Sequence, residues 1–202
     1  MTGSTREEAS RSCPPFSLTT GQASLSSMDY LRKIGCTEII LINGLQMNRN
    51  GLLRAEAFRE YLQRRRLPSG EAQIIWGDYT LDHGYSAARQ LLQEKRKFDA
   101  LLCGDDIVAF GAMAALKAKG IRIPEEVAVV GFDNDPMAPV FDPSLTTIHY
   151  PMYEMGRACF ALFRKIASRK KTPLHVSLET RLVVRRSTDP AYREYQYLNG
   201  NP

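Results

Sequence analysis

Long apolar runs are missing from this sequence: no stretch approaches the ~18 uninterrupted apolar residues of a membrane-spanning helix, so no membrane contact is expected. Met1 to Phe16 is polar and mixed in charge, without the basic end and apolar run of a Sec-type signal, which points to a cytoplasmic protein. The four cysteines, Cys13, Cys36, Cys103 and Cys159, form no C-x-x-C pair and lie mostly in apolar stretches, as buried thiols of a reducing compartment do. Histidine is scarce, and His83, His149 and His175 stand too far apart for a local zinc signature. There is no P-loop, no GxGxxG after a strand and no nucleophile elbow. No catalysis, metal or cofactor is expected.

What is present describes a globular chain. Its 202 residues fit one generous domain or two small lobes. With 44% hydrophobic and 24% charged residues, collagen-like, coiled-coil and disordered classes are excluded. The net charge of +5 collects in Arg64 to Arg66, Lys95 to Lys97, Arg169 to Lys171 and Arg185-Arg186. Three of these runs fall where helices should end, where cations complement the helix dipole, so they read as helix ends rather than phosphate contacts.

Residues 1 to 16 lack periodicity and read as a flexible arm. After them helix and strand alternate. Met28, Leu31 and Ile34 share a helical stripe before Gly35, and Glu38 to Ile42 is a short buried strand. Helices follow at Leu52 to Gln63, Leu81 to Glu94 and Ile107 to Lys119, with strands at Gln73 to Trp76, Phe98 to Cys103 and Val127 to Phe132. The last of these is apolar on both faces, as a parallel sheet covered on both sides requires. Thr146 to His149 is a further extended segment, Met152 to Ala167 a helix, and Ser177 to Val184 a final strand. The expected fold is α/β with right-handed crossovers.

Several strands end in polar groups: Asn43, Asp78 with Tyr79, Asp105 with Asp106, and Asp133 with Asn134. Ligands of open α/β sheets sit outside the carboxyl ends of the strands, so these groups should share one rim. An Asp there can instead cap the next helix, the preferred reading for Asp106, whereas Asp133 precedes a Pro-containing loop and is read as a ligand contact. Adjacent residues on an extended edge point oppositely, so Asp105 and Asp106 do not form a carboxylate dyad. His149 is read as a hydrogen-bonded structural residue. Carboxylates, amides and one aromatic ring suit a neutral, hydroxyl-rich or heterocyclic ligand.

The runs Asp99 to Met113, Gly120 to Asn134, Pro143 to Ile148, Glu154-Met155-Gly156 and Leu182 to Thr188 together resemble the effector-binding module of the LacI/GalR family. The resemblance covers about residues 17 to 188. It implies a type I periplasmic-binding-protein-like fold of two α/β lobes that close on a sugar or nucleobase effector, usually as a homodimer whose separate helix-turn-helix binds DNA. It also implies that the chain starts within the family's first lobe and lacks the helix-turn-helix. The second lobe is expected at about 37 to 142 plus 177 to 186, first-lobe remnants at about 22 to 34 and 146 to 168, and a tail at 189 to 202.

Mapped onto the family motifs, Arg54 matches the arginine of R-x-x-x-F, Tyr79 the ring set against the ligand, Asp105 a position where asparagine is common, and Asp133 the acid of G-[FY]-D. Thr20, Asn50 and Asp106 are further candidates. The small residues around Gly111 are expected to serve close helix-on-sheet packing. The competing readings are a binding protein of transport or chemoreception with the same fold, and a hydrolase or nucleotide enzyme, for which no nucleophile is present.

Overall fold

The computed structural model describes residues 16–17, 20–70, 73–168 and 176–192. They fall into two units. The larger takes in Thr20–Tyr150 and the chain from Arg181 onward, and the smaller takes in the residues up to Thr19 together with Pro151–Thr180.

In chain order the elements are β1 (Phe16–Ser17), α1 (Thr20–Lys33), β2 (Ile39–Ile42), α2 (Arg49–Arg65), β3 (Ile74–Ile75), α3 (Leu81–Gln93), β4 (Ala100–Cys103), α4 (Asp106–Ala118), β5 (Ala128–Asp133), β6 (Thr146–His149), α5 (Met152–Ala167), β7 (Val176–Ser177) and β8 (Arg181–Val183). The larger unit holds a sheet of order β3-β2-β4-β5-β6-β8. Its strands run parallel through β6, and β8 closes the edge antiparallel, Ile148 opposite Leu182.

Strand alternation sorts the core into two layers. Ile40, Ile42, Leu101, Cys103 and Val129 face α3 and α4, where they meet Ala87, Leu91, Val108, Ala112 and Met113. Ile39, Leu41, Leu102 and Val130 face α1 and α2, packing on Met28, Leu31, Phe58 and Leu62. Both faces are therefore covered, which is why the strands read as unbroken apolar runs.

Helix ends follow local chemistry. Asn48 opens α2 by accepting from the Asn50 N–H (2.8 Å), three residues or so earlier than the apolar pattern suggests, because residues 49 to 51 carry no stripe of their own. Arg66 ends that helix in the left-handed region at φ 54°. Thr80 caps α3 through His83 N–H.

Four expectations are corrected. The helix near 22 to 34 is not set apart with first-lobe remnants: α1 lies in the larger unit, packed on α2 through Met28 and Leu31. The extended segment 146 to 149 likewise pairs with β5 inside the large sheet. The single strand expected over 177 to 184 divides, since β7 pairs with β1 and β8 with β6. Phe16, the last residue of the expected arm, lies with Ser17 in a strand, and the rest of that arm falls outside the described residues.

Gly111 serves helix-on-helix rather than helix-on-sheet packing. A Cβ there would stand 2.0 Å from the Leu81 carbonyl, and one at Gly84 2.0 Å from that of Val108. This pair lets α3 and α4 approach backbone to backbone. Cys36 and Cys103 are buried as expected, whereas Cys159 is exposed.

Candidate functional site

From β2 the chain passes to β3 on one side and returns to β4 on the other, so the order reverses between β2 and β4. Helices diverge at such a point and leave a crevice at the carboxyl ends of the strands. Backbone pairing continues to its edge, with Asn43 N–H donating to Ile75 O and Gly104 N–H to Ile42 O, both at 2.8 Å.

Asn43 is fully buried and organises the first side of this crevice. Its Nδ2 donates to Gly51 O (2.9 Å) and its Oδ1 accepts from Arg54 Nη1 (3.0 Å). Gly104 makes room for the pair: a Cβ there would lie 3.0 Å from Asn43 Oδ1 and 3.1 Å from Arg54 Nη1. Arg54 is only 4% exposed, a buried residue of α2 rather than a solvated one. Its guanidinium lies 4.7 Å from the Phe132 ring centroid, and its buried Nε has no hydrogen-bond partner among the described residues.

Asp133 and Asp105 form the second side. Asp105 caps α4, its Oδ1 accepting from Ile107 N–H at 2.7 Å, and its carboxyl lies beside that of Asp133. Burial, then the adjacent Asp105, push the Asp133 carboxyl up to about 7, while Arg54 pulls the other way. Burial and then Asp133 also raise the Tyr150 hydroxyl. Asp133 and Asn134 both have positive φ, 108° and 61°, a conformation that costs a non-glycine residue energy and persists only when neighbours hold it.

The Tyr79 ring lies in the space a side chain at Gly44 would need, a Cβ there falling 2.0 Å from its Cζ. Its hydroxyl reaches toward the start of α2, 3.5 Å from where Gly51 would carry a Cβ. Thus Arg54, Asp105 and Asp133 are brought together, and Tyr79 stands over the adjoining Gly44 turn. Asn50 is exposed on the first turn of α2, one helical repeat from Arg54. The Thr20 side chain lies outside the described residues. Asp78 is a turn residue, accepting from Thr80 N–H (3.2 Å) and Thr80 Oγ1.

Asp106 neither caps α4 nor reaches the rim. It is 1% exposed, with Oδ1 accepting from Thr147 Oγ1 (2.6 Å) and Oδ2 from Asp135 N–H (2.7 Å). Gly131 permits this, because a Cβ there would stand 2.0 Å from Asp106 Oδ1. Burial raises this carboxyl to about 7. His149 is structural, 3.2 Å from Asn134 through Nδ1.

Phe132 and Arg185 support the site without having been singled out for it, and Asn134, one of the strand-end polar groups, is bonded to Arg185. Arg185 reads as part of a basic run, yet it is 6% exposed and donates to Leu145 O and Asn134 Oδ1, both at 2.8 Å. The available signal was its place directly after an apolar strand and before two hydroxyl residues. Among the described residues no group of three or more acidic, His or Cys side chains could hold a metal ion, and no helix is long and apolar enough to cross a membrane.

Comparison with known proteins fits this geometry. The family model for the periplasmic binding protein-like domain matches residues 28–188. The transcriptional repressor PurR of Yersinia pestis is 36% identical over 169 residues, 83% of this chain and 50% of the repressor. The chain thus spans about half the length of the curated relatives it matches. Among solved structures, the Escherichia coli repressor ascG (27% identity, TM-score 0.78) covers 83% of this chain and 61% of its own. The transcriptional regulator CelR in complex with cellobiose (31% identity, TM-score 0.78) covers 85% and 53%. The chain belongs to the periplasmic binding protein-like domain family, as an effector-binding module of the LacI/GalR type.

Proposed function

We propose that this chain is the ligand-sensing part of a LacI/GalR-type transcription regulator and holds a sugar or nucleobase effector on Arg54, Tyr79, Asp105 and Asp133, with Asn50 at the margin. The supporting observation is Arg54: a buried guanidinium whose Nε has no hydrogen-bond partner among the described residues, set beside the neighbouring Asp105 and Asp133 carboxyls at the switch point of a parallel sheet. Such a group suits a ligand that brings acceptors to the arginine and hydroxyl or N–H donors to the acids. The relatives compared above are transcription regulators, which favours regulation over transport. DNA contact would come from a helix-turn-helix outside this chain, and the regulator would act as a homodimer.

Titration calorimetry of the chain against free nucleobases and mono- and disaccharides, cellobiose included, tests the reading. One compound should bind, and Asp133→Ala should weaken it by about 2 kcal/mol or more, the scale of a lost charge-assisted hydrogen bond. Undiminished affinity in that variant would remove Asp133 from the site.

A further inference from the structure

The left-handed Asp133–Asn134 turn is held by side chains that do not themselves reach the crevice. Asn134 N–H donates to Thr147 Oγ1 (3.3 Å), and the next amide, Asp135 N–H, donates to Asp106 Oδ2 (2.7 Å). The Asn134 side chain is gripped at both ends, its Oδ1 by Arg185 Nη2 (2.8 Å) and its Nδ2 against His149 Nδ1 (3.2 Å). Arginine has only donors, so Arg185 fixes the amide with its oxygen inward and leaves the NH2 to donate to His149. Arg185 is itself anchored at Leu145 O through Nη1 (2.8 Å), and its backbone N–H donates to Thr146 Oγ1 (2.7 Å).

We infer that Arg185 is a positioning residue of the effector site: through Asn134 it holds the turn that aims the Asp133 carboxyl at the crevice. Two consecutive non-glycine residues at positive φ need such support. The forked guanidinium ties that turn to Leu145, just before β6, and to the segment after β8, parts remote in sequence. A lysine, a single point charge on a flexible stem, does not reproduce the two directed contacts.

The inference rests on Asp133 facing the ligand as proposed above, but its test is run on the unliganded full chain, so the two can fail separately. The carboxyl 13C shift of Asp133 is titrated in the parent chain and in Arg185→Ala, Arg185→Lys, Asn134→Ala and the Arg185→Ala/Asn134→Ala double variant. Asp133 is faced by Asp105, Arg54, Asp135, Asp106 and Tyr150, and its midpoint reports that setting.

Release of the turn should lower the midpoint from about 7 toward the ordinary carboxyl range in Asn134→Ala and Arg185→Lys, which keep the positive charge, and by less in Arg185→Ala, where the lost charge acts the other way. The double variant should show no further drop, because both changes act through one contact. Should Arg185→Ala fail to fold, Asn134→Ala and Arg185→Lys carry the same reading, judged by unchanged circular dichroism. An unmoved midpoint in folded variants, or additive drops in the double variant, overturns the assignment. For any sugar or nucleobase bound by the parent chain, Arg185→Lys should bind about tenfold more weakly. Undiminished binding would overturn the positioning role even if the midpoint moved.

Discussion

Helices α4 and α5 both carry apolar stripes in the sequence, yet they end in opposite states. In α4, Val108, Ala109, Phe110, Ala112, Met113 and Leu116 are all buried. In α5, Leu162 alone is buried, while Met152, Tyr153, Phe160, Phe163 and Ile166 stay more than half exposed. The difference is in what each unit offers. The larger unit supplies α4 with a six-stranded sheet and with α3, whereas the described strands of the smaller unit are two pairs of residues. Periodicity fixes which side of a helix is apolar; burial depends on whether something is there to cover it.

The sharpest contrast is between two phenylalanines. Phe58 is fully buried on α2, and Phe163 is 66% exposed on α5. Phe58→Ala should cost about 3–5 kcal/mol, transfer and cavity terms together. Phe163→Ala should cost under about 0.5 kcal/mol, as surface changes do. Urea unfolding followed by circular dichroism measures both. Comparable losses would mean that α5 is covered in solution and that the contrast is false.

Close helix contact gives the next effect. Gly111→Ala would drive a methyl group into the Leu81 carbonyl, for which α3 and α4 must separate. The expected loss is about 1–3 kcal/mol despite the better helix propensity of alanine. A neutral result by the same unfolding assay would show that the two helices move apart freely.

How far the sequence carried this far is uneven for physical reasons. Val127 to Phe132 is legible because strands buried on both faces need unbroken apolar runs, and Asp133 is legible as the polar residue that ends this strand. The split between β7 and β8 is not, since Ser177 to Val184 has no Gly or Pro to mark where the chain changes sheets. Asp106 misleads for a subtler reason. Its burial depends on the missing Cβ of Gly131, on a neighbouring strand, and on Thr147 from the strand beyond that, contacts that exist only after folding. Arg185 has the same difficulty, looking like half of an exposed dibasic pair until its partners assemble.

A third effect is pH-dependent and separates the units again, since Asp106 and Asp133 both belong to the larger one. Each stands near 7 when folded, against an ordinary value of 3.8. Between those values the folded chain binds more protons than the unfolded chain, so stability falls as pH rises through that interval. The larger unit should have a higher urea midpoint at about pH 5 than at about pH 7.5, with the drop reduced in Asp106→Asn. Hydrogen exchange, corrected for its intrinsic pH dependence, should place the change in α4 rather than α5. A midpoint that rises over this interval would mean that favourable partners, not burial, dominate both carboxyls.

The smallest expected effect probes α5 itself. Gly156, Phe160 and Phe163 follow at i, i+4 and i+7, so the glycine shares the face that carries the exposed rings. A Cβ there meets nothing within 4 Å, in contrast to the 2.0 Å encounter at Gly111. If that face is bare in solution, Gly156→Ala brings only the helix propensity of alanine, up to about 1 kcal/mol, or roughly fivefold more protection of the α5 amides in hydrogen exchange. If instead a second chain packs its backbone onto the face, the added methyl group does there what it does at Gly111. Protection would fall, and sedimentation would shift toward the monomer. The sign of one small substitution thus tells whether α5 differs from α4 because nothing covers it or because its cover is another molecule.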